Sequence, residues 1–174
     1  MNIFRSSGIA IGLLIGLLLS VCLIKMANSN HKSRTEYDER QRLIRGSSYK
    51  YAFYAMAIYE AAMVILYSMD LALPFPSYLT HFAAVLVGGT VLACCNIWQG
   101  AYWGLNNNRR RYAVIFLGVA LLNAFPVVGA LLSGTFITDG EFSTPIINLL
   151  VLVMLLFIVL TMLARSIADR REEE

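Results

Sequence analysis

The sequence predicts an all-α fold, a polytopic transmembrane helical bundle with five spans. Hydrophobic residues make up 58% of the 174 residues and charged residues 14%, whereas an average soluble domain has about 25% charged residues. Five apolar segments approach or exceed the ~20 residues that a helix needs to cross a bilayer. Basic residues occur in alternate connections between these segments. We therefore expect the lipid bilayer, rather than water, to surround most of the protein.

The five predicted spans are separated by polar or proline-containing connections and belong to a single membrane domain, residues 1–174. The spans are residues 8–24, 52–69, 81–103, 112–132 and 146–164. The first of them could be mistaken for a secretory signal sequence. The residues that follow it, Lys25-Met-Ala-Asn28, contain no A-x-A cleavage pattern. We therefore expect the first span to be a retained helix.

The distribution of Lys and Arg predicts the orientation of the spans. The connection 25–50 has seven basic residues, the connection 105–111 has three, and the tail after residue 164 has three. The connections 70–80 and 135–145 have none. Because basic connections stay in the cytoplasm, this alternation predicts an outside N-terminus and an inside C-terminus. Arg5 is the single basic residue that disagrees.

The charged segment 25–50 is predicted to contain a short amphipathic helix on the cytoplasmic surface. Capping-box patterns near Ser33 and Thr35 mark its start. Gly46-Ser47-Ser48 is predicted to form a bend between this helix and the second span. Its basic side chains would face a partner protein or lipid headgroups, although cytoplasmic connections are commonly basic without any such role. The candidate docking or headgroup-binding residues are Arg40, Arg42 and Arg45.

Three glycines in the first span indicate a helix-packing surface. Gly8, Gly12 and Gly16 recur every four residues, which places them on one face of a helix. Small residues at this spacing let a second helix approach closely. Small residues are also common in membrane helices without such a role, so both interpretations stay open.

Glu60 is the candidate functional residue inside the spans. It lies near the middle of the second span, where a charged side chain costs about 2.5 kcal/mol or more. No Lys, Arg or His is predicted at the same depth, so Asn96 and Asn123 are the expected partners. In the structural interpretation, a neutral Glu60 donates a hydrogen bond to one of these amides. In the functional one, the three residues form a polar cluster that takes up a proton or binds a cationic solute.

The residues that carry most enzyme chemistry are scarce. The two histidines, His31 and His81, are predicted in a loop and at the outer interface, and no HExxH, Walker or Gly-x-Ser-x-Gly pattern occurs. Adjacent Cys94 and Cys95 have the wrong spacing for a CxxC redox pair or half a zinc site. The sequence therefore predicts no enzyme activity, no metal and no cofactor. The formal charge of +3 is too small to indicate a nucleic-acid partner.

The stretch Asp38-Glu-Arg-Gln41 precedes an aromatic-rich span. In this it resembles small, largely uncharacterised multi-spanning membrane proteins of Gram-positive bacteria that carry an Asp-Glu-Arg-Gln motif before a transmembrane helix. The resemblance covers about residues 35–69. It implies a location in the bacterial cytoplasmic (inner) membrane and no particular activity.

These observations predict a non-enzymatic integral membrane protein that works as an accessory protein or subunit. It would act through helix packing and through its basic cytoplasmic segment, with a partner membrane protein or with further copies of itself. The alternative is a small-solute or proton-coupled transport protein that uses Glu60 with Asn96 and Asn123.

Overall fold

The computed structural model describes residues 3–71, 77–138 and 140–172. It confirms the predicted all-α helical bundle. In chain order the elements are α1 (Ile3–Ala27), α2 (Glu39–Ser68), α3 (Ser77–Trp98), α4 (Arg109–Leu132), the short strands β1 (Ile137–Thr138) and β2 (Glu141–Phe142), and α5 (Ile146–Glu172). The two strands pair in antiparallel fashion around Gly140, whose positive φ of 81° closes the turn.

Four of the described helices, α2 to α5, are long and apolar enough to cross a membrane. By length and composition the chain is therefore an integral membrane protein. The apolar part of α1 whose side chains are described, Leu14–Ala27, is shorter than these four. The fifth span accordingly stays a prediction, although α1 itself is a helix of 25 residues.

The chain divides into two compact units. The loop unit comprises residues 1–38 and 103–115, and the helical unit comprises residues 39–102 and 116–174.

Within the helical unit, α3 packs against α2 and against α5. Helices α2 and α3 are antiparallel, since the Tyr67 hydroxyl near the end of α2 lies 3.2 Å from Thr80 Oγ1 near the start of α3. At the opposite end, Arg45 Nη1 donates to the Ala101 carbonyl after α3. Close packing is possible because Gly88 has no side chain. A Cβ there would overlap the side chain of Met56.

Helix α5 runs parallel to α3. Met154 Sδ lies 3.9 Å from the position that a Cβ on Gly89 would take. About two and a half turns further along α3 and three turns further along α5, the Arg165 guanidinium lies 5.9 Å from the centre of the Trp98 ring. The start of α2 and the ends of α3 and α5 therefore share one end of the helical unit.

The predicted bend at Gly46-Ser47-Ser48 is wrong, because α2 continues through these residues as one helix of 30 residues. Residues 33–38 are not helical, so the predicted short helix is instead the beginning of α2. Ser48 Oγ donates to the Ile44 carbonyl one turn earlier, at 3.0 Å. Ser48 and Ala52 are buried together on one face. Gly and Ser permit a bend but do not require one, and burial of this face favours the straight helix.

Helix α3 ends at Trp98, five residues before the predicted end of the third span. Gly100 has a φ of 71°, a backbone conformation that glycine adopts without strain. The Gly100 N–H donates to the Ile97 carbonyl and the Ala101 N–H to the Asn96 carbonyl. This is a Schellman motif, which terminates a helix by satisfying its last carbonyls.

We expect Gly88→Val to destabilise the protein by about 1–3 kcal/mol, because the added atoms overpack the α2–α3 contact. Combining it with Met56→Ala should recover part of this loss, since the Met56 side chain occupies the overlapping space. Gly118→Val is the matched control, because a Cβ at Gly118 meets no atom within 4 Å. Thermal unfolding in detergent measures the stability of the wild type, the two single variants and the double variant. Equal losses from the two valine variants would contradict the predicted contact.

Candidate functional site

Glu60 forms an ionisable pair with His81 between α2 and α3. His81 Nδ1 lies 3.1 Å from each carboxylate oxygen of Glu60. The pair is a salt bridge when His81 is protonated, and a hydrogen bond donated by Nδ1–H when the ring is neutral in that tautomer. One acid and one base at this distance can share a single proton. The pair therefore links α2 to α3 through one acid and one base.

The prediction that Glu60 has no basic partner is wrong, because His81 contacts it from a different depth. Glu60 lies eight residues before the end of α2 and His81 four residues after the start of α3. At 1.5 Å per residue these positions correspond to depths of ~12 Å and ~6 Å. The lengths of the two side chains span the difference. Met56 lies beside Gly88 near the middle of α3, so Glu60 is one turn, ~5–6 Å, from that level.

Helical spacing contained a signal for this pair. On α2, Ala52 and Met56 precede Glu60 at four-residue intervals, and they lie on the face that packs against α3. On α3, His81 lies seven residues before Gly88, so the two share a face of that helix. Matching these two faces would have brought Glu60 and His81 together.

The pair is accessible from outside the protein. The side chains of Glu60 and His81 are 36% and 65% exposed, so neither is sealed within the helix contact. Among the described residues, no group of three or more His, Cys, Asp and Glu side chains is arranged to hold a metal ion. Proton exchange or contact with a cationic group is the chemistry that this arrangement supports.

The structure does not bring Asn96 and Asn123 to Glu60. Asn96 lies fifteen residues after His81 on α3, which corresponds to ~22 Å along the helix. Asn96 is buried, and its side-chain oxygen has no hydrogen-bond partner among the described residues. The Asn123 amide donates within its own helix, to the Val119 carbonyl at 2.8 Å. The predicted three-residue cluster is therefore not assembled.

Two of the three predicted docking arginines contact the end of α3. Arg40 Nη2 donates to the Gln99 carbonyl and Arg45 Nη1 to the Ala101 carbonyl, both at 3.4 Å. Cations are favourable at the C-terminal end of a helix, where carbonyl groups lack helical partners. Arg42 is exposed. The docking role itself stays a prediction. Arg40 and Arg45 also bond the start of α2 to the residues that follow α3.

The predicted glycine stripe lies on α1, which contains Gly8, Gly12 and Gly16. A Cβ at Gly16 would meet no atom within 4 Å. A helix-packing role for the three glycines stays a prediction.

The loop unit contains an asparagine network that sequence reasoning missed. Asn28 is fully buried. Its side-chain oxygen accepts hydrogen bonds from Asn107 Nδ2 at 2.7 Å and from the Tyr112 hydroxyl at 3.2 Å. Its amide donates to the Lys32 carbonyl at 2.9 Å. One buried side chain thus joins the end of α1 to the start of α4.

Asn106 makes the second half of this network. Its side-chain oxygen accepts from the Glu36 N–H at 2.8 Å, and its amide donates to Asn30 Oδ1 and to the Arg34 carbonyl at 3.0 Å each. Residues 28–38 are therefore fixed to residues 104–112. Asparagines at 28, 30 and 106–108 are visible in the sequence, but their spacing does not say which of them pair.

No protein-family model, curated protein or solved structure matches this chain.

We expect Lys32→Met to raise the pKa of Glu36. The Glu36 pKa is held below its ordinary value of 4.5, first by the hydrogen bond from Lys32 and then by the Lys32 charge, with a smaller contribution from Asn30. Lys32 Nζ lies 2.9 Å from the carboxylate. Because the folded pKa is the lower one, this contact stabilises the fold above about pH 4.5 and is lost as the pH falls through the folded pKa.

Carboxyl NMR titration of the purified protein measures this pKa directly. Lys50→Met is the matched control, because Lys50 lies over the Tyr54 ring in the helical unit and should leave the Glu36 titration unchanged. An unchanged Glu36 titration in Lys32→Met would contradict the assigned cause.

Proposed function

We propose that the protein is a non-enzymatic accessory protein or subunit of a membrane assembly, and that the exposed face at the start of α2 is its docking element. The observation that carries this proposal is the continuity of α2. Arg40 contacts Gln99 and Arg45 contacts Ala101, both just beyond the last residue of α3, so the start of α2 lies as ordered helix against the end of the neighbouring span. Arg42 and Leu43 are exposed there, Leu43 to 71%. A rigid helix end with a cation beside an apolar side chain suits a protein partner.

The charges support placing this end in the cytoplasm. The beginning of α2 and the end of α5 lie at one end of the helical unit, and both are rich in arginine, including Arg40, Arg42, Arg170 and Arg171. Basic residues are enriched on the cytoplasmic side of membrane proteins. With α1 as a fifth span, the N-terminus is outside and the C-terminus inside. The membrane we propose is the bacterial cytoplasmic membrane, and the partner is another membrane protein or a second copy.

We expect the double variant Arg42→Glu, Leu43→Ser to weaken the assembly about tenfold, which corresponds to about 1.4 kcal/mol. The measurement is in-membrane crosslinking at residue 39, followed by quantitative mass spectrometry of the crosslinked partner. Arg170→Glu is the matched control, because Arg170 is exposed at the same end but on α5. Equal crosslinking in the wild type and the double variant would contradict the docking role.

The Glu60–His81 pair favours a second candidate function, proton-coupled or small-solute transport. An acid and a base 3.1 Å apart within two candidate spans provide a site that can change its proton occupancy. Ionisable residues within membrane segments commonly mark proton or solute pathways. In this candidate Glu60 and His81 carry the proton, whereas the earlier candidates Asn96 and Asn123 take no direct part.

For this candidate, Glu60→Gln should reduce proton flux at least about tenfold, while its thermal stability stays within about 1 kcal/mol of wild type. A pH-sensitive dye trapped in proteoliposomes reports the flux under an imposed potential. Asn123→Ala is the matched control, since the Asn123 amide bonds within its own helix. Flux that is equal in wild type, Glu60→Gln and protein-free liposomes would exclude proton transport.

A further inference from the structure

A cavity of about 410 Å³ lies in the loop unit, between the end of α1 and the start of α4. Four apolar side chains and two basic ones form its walls. The lining residues are Leu23, Met26, His31, Arg111, Val114 and Ile115. We propose that this cavity is a binding site for an anionic phospholipid, with the headgroup phosphate at Arg111 and His31 and an acyl chain along the apolar wall.

The apolar wall is open to its surroundings. Met26 is 60% exposed and Val114 is 70% exposed. Both belong to the apolar stretches of α1 and α4. An acyl chain covers such a surface favourably, because each buried CH₂ group contributes about 0.8 kcal/mol. A small water-soluble anion would leave the wall uncovered.

Arg111 is positioned for a phosphate. Its Nη1 donates to the Met26 carbonyl at 3.1 Å, which holds the guanidinium against the end of α1. A guanidinium has five N–H donors, and this bond uses one of them. The planar fork of arginine matches the oxygens of a phosphate and can bind them in pairs. His31 adds a second donor at the same cavity.

The asparagine network holds the two walls in position. Asn28 connects to Asn107 and Tyr112, and the Asn108 N–H donates to the Ala27 carbonyl. The segment that carries His31 is therefore fixed to the segment that carries Arg111 without any ligand. A preformed site loses less conformational entropy when it binds.

The charge and position of the loop unit agree with a headgroup. Segments 25–38 and 103–115 contain six Lys and Arg residues but only two acidic residues. The net positive charge of these segments attracts anions. The cavity lies where the apolar run of the first predicted span gives way to Lys25, and where Arg109-Arg-Arg111 gives way to the apolar part of α4. This boundary is the level of lipid headgroups, where basic pockets bind anionic lipids.

Native mass spectrometry of the full-length protein in detergent tests the proposal with phosphatidylglycerol and phosphatidylcholine as probes. We expect Arg111→Gln to weaken phosphatidylglycerol binding at least about tenfold, which corresponds to about 1.4 kcal/mol. Phosphatidylcholine binding should be equal in the wild type and in Arg111→Gln. Arg110→Gln is the matched control, because Arg110 is exposed but does not line the cavity. Equal losses from Arg110→Gln and Arg111→Gln would show diffuse surface charge and overturn the proposal.

A second variant separates the lipid from a free phosphate and from a folding defect. Val114→Glu places a charge on the apolar wall at an exposed position and leaves the bonds of Arg111 and the asparagines in place. We expect Val114→Glu to weaken phosphatidylglycerol binding as much as Arg111→Gln does. Its melting temperature should equal that of the wild type. Water-soluble glycerophosphoglycerol at the same concentration should not displace the lipid. Unchanged lipid binding in Val114→Glu, or displacement by the soluble headgroup, would overturn the lipid assignment.

Discussion

The close approach of α2 and α3 at Gly88 is the contact on which the rest of the helical unit depends. The Met56 side chain occupies the space that a Cβ on Gly88 would take, and this contact fixes the position of α2 along α3. That register brings Glu60 to His81 near one end and Arg45 to the carbonyls after α3 at the other. Packing at small residues is the main attraction available between helices in lipid, where apolar burial gives no advantage. The ionisable pair is thus a consequence of helix packing.

The loop unit is held together by a different interaction. Many of its connections are hydrogen bonds between neutral amides, a hydroxyl and backbone groups, centred on Asn28 and Asn106. Amides keep the same charge across the physiological pH range, so the bonds of these two asparagines do not depend on protonation. The basic side chains are left on the surface around it. The neutral framework of the loop unit is therefore separate from its charged exterior, as the proposed binding of an anionic lipid requires.

Much of the fold could be predicted because the bilayer leaves few choices. Segment length and hydropathy predicted five spans and the all-α class, since a backbone in lipid must satisfy its own hydrogen bonds. The structure confirms the class, and four of its described helices are long and apolar enough to span. The continuity of α2 could not be predicted, because Gly46 and Ser48 are compatible with both a bend and a helix and burial decides between them. Depth counted from approximate span ends placed Glu60 and His81 apart, although their side chains bridge the difference. The spacing of the asparagines in the sequence also did not reveal that Asn28 pairs with Asn107, which lies almost eighty residues away.

The partner of Glu60 changes the physical argument about its role. A neutral acid bonded to a buried asparagine would mainly support the structure, and its substitution would lower the free energy of unfolding. A carboxylate beside an imidazole is different, because the two groups bond across the helix contact and link α2 directly to α3. Both side chains are also partly exposed at the surface of this contact. The same pair therefore joins the two helices and is the group that the transport proposal requires.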